Sequence, residues 1–467
     1  PRLAHRRPAP GTPAPLPARP AAPPGPLPLP RSATPEVPRA IPSRGVFLFR
    51  PDSPIPPDGP LVLSDRISSS ALRNTYHAWS SPMMPIREHW NRLVFAIVVT
   101  TMVAAAPVHA ARLYVDASSP SPGDGSSWAV AFDDLQDALD VAAAGDSIWV
   151  AAGTYRPAVS AQDSSLAVPA QVAVFGGFAG TETAFDERDL ATNVTVLSGD
   201  VGVEDDASDN SFHVVTIAAG DSTTILDGFT ITAGAGNGTR SPSTGAYAGG
   251  LRGGGVFVTG GQPTLRALRI VANGSTDDQL QGGGFASVGA GTDPLLVDVT
   301  FEDCAAAEGG GLYAASAIRL VNVTFTGNTG RDPAATEDGG AAAYFDTGAS
   351  VDVANAILWG NTYENLLGTN PSSIGRAPTA SVDVANSLVE GSEGSAAWNP
   401  DFGTDLGGNL DADPQFVHAP SGDLRLLARS PAIDAGDAAF RPVGLDTDLT
   451  GASRVCGDDL DLGALEF

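Results

Sequence analysis

Residues 111–467 hold two histidines, His213 and His418, and the whole chain holds no lysine, since all 26 basic residues are arginine. Acid–base chemistry near neutral pH therefore has few carriers other than carboxylates. His213 sits inside "SFHVVTI", a strand pattern in which a packed or stacked imidazole is expected. His418 lies two residues before Pro420 and reads as a loop residue. Asp and Glu are so frequent that a pair spaced for glycoside hydrolysis arises by chance, so a pair alone identifies nothing. The densest acidic run is "SGDVGVEDDASDN", with Asp200, Glu204, Asp205, Asp206 and Asp209. These five are the candidate Ca²⁺ ligands, because a hard cation takes carboxylate and carbonyl oxygens. Their order lacks the glycine and closing glutamate of an EF-hand loop, and a solvated acidic loop is the alternative reading. Arg266, Arg269 and Arg319 fall near the second strand of successive units. Facing outward, they would either hold a substrate carboxylate or stand as solvated charges.

The elements that would position these groups come from a repeat. "GGGVFVTGGQPTLRALRIVAN" (253–273), "GGGFASVGAGTDPLLVDVTFEDC" (282–304), "EGGGLYAASAIRLVNVTFTGN" (308–328) and "GGAAAYFDTGASVDVANAILWGN" (339–361) spell one sentence four times. Their glycine openings at 253, 282, 309 and 339 are spaced by 29, 27 and 30 residues. A period in that range marks stacked repeats. Each unit holds two or three apolar runs of strand length bounded by turn residues, with no helical period between them. The expected fold is all-β: a right-handed, single-stranded parallel β-helix, with rungs about 4.8 Å apart and the handedness of parallel crossovers. Glycine supplies positive φ at the turns and lets stacked backbones approach. A phosphate cradle would need one glycine loop leading into a helix; here the triplet recurs and runs into strands. Asn273, Asn328 and Asn361 close their units and are expected at left-handed turns, bonding the next coil's amide; Cys304 takes the matching place in one unit. With Cys456 it makes only two cysteines, expected to be free rather than bridged.

The GG-small-apolar opening and the closing "Phe325-Thr326-Gly327-Asn328" resemble the repeats of polymorphic outer-membrane proteins; "Phe301-Glu302-Asp303-Cys304" departs at its last position. "VFGGFAGTETAFDERDLATNVTVLSGD" (174–200), "DNSFHVVTI" (209–217), "TTILDGFTITAGAGN" (223–237), "SPAIDAGD" (430–437) and "DLGALEF" (461–467) resemble, in this order, secreted bacterial β-helix proteins that end in a choice-of-anchor domain of the Q type. The resemblance covers roughly residues 112–467. It implies the β-helix fold shared with pectate-lyase-like proteins and an exported, surface-associated role, with no agreed activity. "Gly457-Asp458-Asp459" matches a short phrase of polygalacturonase-like hydrolases but lacks its companions.

Residues 1–82 are Pro- and Arg-rich, without apolar periodicity, and read as a disordered extension upstream of the true start. "PIREHWNRLVFAIVVTTMVAAAPVHA" follows Met83 and Met84, with a basic start, an apolar run from Leu93 to Ala106 and a small-residue site ending at Ala110. Residues 83–110 thus read as a secretory signal peptide, too short to span a membrane. Export by the Sec route to the cell surface, outer membrane or medium follows. The remaining 357 residues carry 14 Arg against 48 Asp plus Glu, a net charge of −34. That surface repels nucleic acid and polyanions; it would collect Ca²⁺ or serve as an adaptation to salt. Residues 111–147 read as an N-terminal cap with a strand at 113–116 and a helix at 133–144, 148–410 as nine or ten coils, and 411–467 as the far cap.

Two functions are carried forward. One is a non-enzymatic surface rod of adhesin type, whose partners are an extracellular glycan or another surface protein, with no nucleic acid and no membrane span after signal removal. The other is a polysaccharide lyase or glycoside hydrolase, favoured by fold analogy, which does not fix function.

Overall fold

A computed structural model of the chain describes residues 110–120, 123–157, 161–236, 252–275, 280–332, 339–365 and 368–467. The expected extension 1–82 and nearly all of the expected leader 83–110 lie outside the described residues. Among the described residues, no helix is long and apolar enough to cross a membrane.

Strands dominate, in long parallel sheets. The main sheet runs in chain order from Arg112–Val115 through Ser147–Ala151, Ala173–Phe178, Ile225–Thr232, Thr264–Val271, Leu295–Glu302, Ala317–Val321, Ser350–Ala354 and Ser381–Ala385 to Thr404–Asp405. Every neighbouring pair on this path is parallel. A second sheet stacks seven strands from Leu166–Ala167 to Ile374–Arg376, and a third begins at Ala305–Ala306. The glycine-led units therefore each add a strand to more than one sheet, an arrangement compatible with a β-helix.

Register explains the core. Leu113, Ile148, Val174, Leu226, Leu265, Leu296, Leu320, Val353 and Val384 are successive cross-strand partners. All but Leu113 are buried. They form one inward aliphatic row, as period-2 alternation requires. Phe301 and Phe325 stack within the same core at 4.4 Å.

The glycine triplets act in the two expected ways. Gly282 has φ +73°, and a Cβ on Gly283 would lie 2.3 Å from the Ala305 carbonyl and 2.7 Å from that of Gly310. The asparagines differ from expectation. Positive φ falls one residue earlier, at Ala272, Gly327 and Gly360, so Asn273, Asn328 and Asn361 are not the left-handed residues. Their amides do bridge units. Asn328 N–H donates to Asn361 Oδ1 (3.1 Å), and Asn328 Nδ2 donates to the Phe301 carbonyl (2.9 Å). Cys304 mimics this with its thiol, set 3.5 Å from the Ile270 and Glu302 carbonyls. Burial pushes that thiol up to about 12. Both cysteines are free.

The ends are closed by different means. The strand expected at 113–116 forms at Arg112–Val115 and is itself part of the main sheet. The helix expected over 133–144 is shorter, Leu135–Val141. Asp134 accepts from Gln136 N–H and fixes its start, and the Asp146 carboxylate takes the Ala143 N–H just past its end. Leu135, Ala138 and Leu139 bury its apolar face. At the other end Trp398 and Phe402 pack on the core. Residues 411–467, expected as the far cap, instead fold back along the outer face of the main sheet. Asp437 N–H donates to Asn355 Oδ1 (2.9 Å), and Gly463 N–H and Ala464 N–H donate to the Asn355 carbonyl and Thr324 Oγ1. Leu426, Ala432 and Leu462 pack on Ile357 and Leu388 of the sheet. The four prolines and short apolar runs of this segment announced irregular structure but not which surface it would cover.

Candidate binding cleft

The outer face of the main sheet carries the charged groups. Within or directly after each main-sheet strand from Ile225–Thr232 to Ser381–Ala385, a left-handed residue breaks the inward–outward alternation. The residues in that position are Gly228, Ala267, Asp298, Asn322, Asn355 and Asn386, in register across the sheet. Asparagine, aspartate and glycine tolerate this backbone, whereas alanine there costs roughly 1–2 kcal/mol. Ala233 and Ala272 adopt similar φ at another bend, so the strain at Ala267 does not mark a site by itself.

Beside Gly228 and Ala267 the face opens into a cleft of about 250 Å³. Its walls are Leu190 and Val194 from one loop and Leu424, Leu449 and Leu465 from the C-terminal segment. Its floor carries Thr230, Arg269 and Thr300, which are cross-strand partners in that order. Arg269 grips Glu302 with two bonds, Nε to Oε1 (3.1 Å) and Nη2 to Oε2 (2.8 Å), and Thr300 donates to Oε1 (2.6 Å). This partnership raises the Arg269 pKa further. Gly422 lies against the pair. At the rim, Arg425 donates twice to Asp423.

Two further ion clusters flank the cleft. Asp227, with a fully buried side chain, accepts from Arg188 Nη2 (2.8 Å) and Arg266 Nε (2.5 Å). Arg188 also stacks on Phe185, 4.5 Å from the ring centre. On the other flank, the wholly buried Arg454 reaches from the C-terminal segment to Asp298 (3.5 Å) and Glu466 (3.6 Å), and its Nη2 donates to the Gly463 carbonyl. The Asn322 amide turns its oxygen to the same guanidinium, 3.0 Å from Nε. Burial pushes Asp298 up to about 7, outweighing the pull of Arg454, and does the same to Glu466. One buried cation thus faces two carboxyls that hold their protons into the neutral range.

The residues singled out by sequence separate clearly. Arg266 and Arg269 face outward, partly exposed, and each holds a carboxylate of its own chain. Arg319, half exposed, stands 3.5 Å from Asp293. His213 is buried, stacks on Phe257 at 4.9 Å and shares its Nδ1 with the Gly253 carbonyl. Burial lowers its pKa, which keeps the ring neutral. His418 is exposed and ends the strand Phe416–His418 rather than lying in a loop. The Asp458 and Asp459 amides donate to Asp434, which makes "Gly457-Asp458-Asp459" a turn.

The acidic run is spread over local turns. Asp200 pairs with Arg156 (3.5 Å) and accepts from Asp205 N–H; Asp206 caps Ser208. Glu204 and Asp205 are exposed. Asp209 accepts from Val203 N–H through Oδ2, while its Oδ1 is buried with no partner among the described residues. Among the described residues, no three metal-ligating side chains converge, in this run or elsewhere. The cleft, the Asp227 cluster and Arg454 were missed by sequence reasoning; the only signal was the irregular Gly, Ala, Asp, Asn series at one bend.

Comparison with known proteins adds no identification: no family model matches the chain, and no curated protein matches it.

Proposed function

We infer that the chain is an exported, non-catalytic protein that serves as a binding or structural rod at the cell surface, built as a right-handed parallel β-helix of nine or ten coils of the choice-of-anchor Q kind. Its partner is a neutral extracellular glycan or another surface protein. One observation carries this reading. Asp227, Asp298 and Glu302, the strand carboxyls of the outer face around the cleft, are each at most 6 % exposed in the side chain and already engaged by a guanidinium, and Asp423 at the rim is held by Arg425. A glycosidase needs two carboxyls open to the scissile bond, and a lyase needs a base free to take a proton. The net charge of −34 on residues 111–467 further opposes polyanionic chains.

The lyase or hydrolase reading has its own observation: arginines and carboxylates do gather around one cleft. A panel of uronate, neutral and sulfated glycans separates the two. Binding without new reducing ends and without the ultraviolet absorbance of unsaturated uronate is expected. Turnover that disappears in Glu302→Gln would establish the enzyme instead.

A further inference from the structure

We propose that the cleft beside Gly228 and Ala267 is a binding site for one neutral sugar unit carrying a methyl-bearing substituent, an N-acetyl or 6-deoxy group. This rests on the glycan-binding reading above and names the ligand of one site within it.

The argument starts from the left-handed row. At Asp298, Asn322 and Asn355 the side chain reaches outward and binds the C-terminal segment: Asp298 and Asn322 through Arg454, and Asn355 through the backbone of Asp437. At Ala267 the side chain stops at one methyl and the cavity opens beside it, while at Gly228 a Cβ would already meet Leu190 at 2.8 Å. Asparagine would suit the backbone at 267 better than alanine does. Alanine there keeps space open at a conformational cost, which is how strain is retained at ligand sites.

Size and chemistry then narrow the ligand. About 250 Å³ is slightly below the range of about 300–1,000 Å³ typical of drug-sized ligands, so it suits one ring rather than a chain. Charge is balanced, because Arg269 is engaged by Glu302 and Arg425 by Asp423. A neutral ligand fits without leaving an ion unpaired. Arg269 keeps unspent N–H donors, since its Nη1 has no partner among the described residues, and its side chain is 42 % exposed. Thr230 and Thr300 flank it at strand spacing. Thr300 is buried and spends its hydroxyl on Glu302, so Arg269 and Thr230 supply the donors and the acceptor for ring hydroxyls or an amide carbonyl. The leucine and valine walls face these groups and match a methyl substituent, while an unsubstituted hexose would set hydroxyls against them without partners.

Saturation-transfer NMR on the full exported chain tests this with N-acetylglucosamine, L-fucose, glucose and glucuronate. The expected result is transfer to the acetyl methyl or to the C6 methyl, with little to glucose or glucuronate. Ala267→Asn should abolish it while leaving the melting temperature unchanged or raised, because the substitution fills the cavity and relaxes the bend. Thr230→Val, of similar size, should weaken it. The proposal is overturned if none of the four sugars shows transfer, if glucose matches the methyl-bearing sugars, or if transfer survives in Ala267→Asn. Glycan binding on the panel that persists in Ala267→Asn would remove this site and leave the surface-rod reading intact.

Discussion

The two faces of the main sheet are built from the same strands and obey different rules. Its inward row, from Leu113 to Val384, is aliphatic at every step. The outward row two residues from Arg112 runs Tyr114, Trp149, Phe175, Asp227, Arg266, Val297, Val321, Ala354 and Ala385 in register. It changes from aromatic to charged to small aliphatic. The inward row meets its own neighbours and the apolar residues of the second sheet, so one residue class serves throughout. The outward row meets different covers. Arg112 lies 3.8 Å from the ring centre of Trp149, Arg188 reaches Asp227, and the C-terminal segment lies over the later strands. Stacking is therefore repetitive inside and particular outside, and the particular side is where the cleft lies.

The sharpest way to break this contrast is a core truncation. Phe301→Ala removes a fully buried ring stacked on Phe325 and should cost about 3–5 kcal/mol, read as a lower denaturant midpoint of the whole stack. Next comes Arg454→Leu, which leaves Asp298 and Glu466 buried without their cation. Breaking such a pair costs about 3–5 kcal/mol when the partner must stay charged, and less here because both carboxyls can hold a proton. The loss should be local: limited proteolysis should open 411–467 while the remaining strands stay resistant. Unfolding that spreads to the core would show that the two faces are not separable.

A pH series sharpens the same point. Asp298 and Glu466 have folded pKa values near 7, above their unfolded values of about 4. The folded state then binds more protons than the unfolded one between those limits. Their contribution is fully present below about pH 4 and is lost as pH rises through 7. Stability of the docked C-terminal segment should fall from pH 5 to pH 8, and Asp298→Asn should flatten that fall. An unchanged slope in Asp298→Asn would remove this carboxyl from the account. The exposed Arg319–Asp293 pair lies at the low end, and Arg319→Ala should change stability by less than about 1 kcal/mol. Smallest of all is calcium. With Asp200, Asp206 and Asp209 committed to separate turns, millimolar Ca²⁺ at fixed ionic strength should leave the melting temperature unchanged; a rise would restore the cation loop.

The same contrast explains what the sequence could reveal. Glycine triplets, the Val and Leu alternation and the Asn that ends three of the four units report stacking against similar neighbours, and such constraints repeat in the sequence as they do in space. The first strand was readable to within one residue, expected at 113–116 and formed at Arg112–Val115. Arg454 was not readable as anything, because its partners Asp298 and Glu466 lie 156 residues upstream and 12 downstream and share no local pattern with it. Arg266 and Arg269 were visible as outward cations, but their carboxylates sit on neighbouring repeats, where pairing depends on register. His213 was readable as a packed residue, although it lies two residues before the strand Val215–Ile217 rather than inside one.

Hydrogen exchange followed by mass spectrometry, run on the whole chain from pH 5 to pH 8.5 and corrected for intrinsic rates, tests the central claim most directly. The account predicts that amides within 411–467, including Gly463 and Ala464, lose protection as pH rises through 7, while those of Leu295–Glu302 keep theirs. Equal loss in both regions, or a C-terminal segment without protection at any pH, would contradict it.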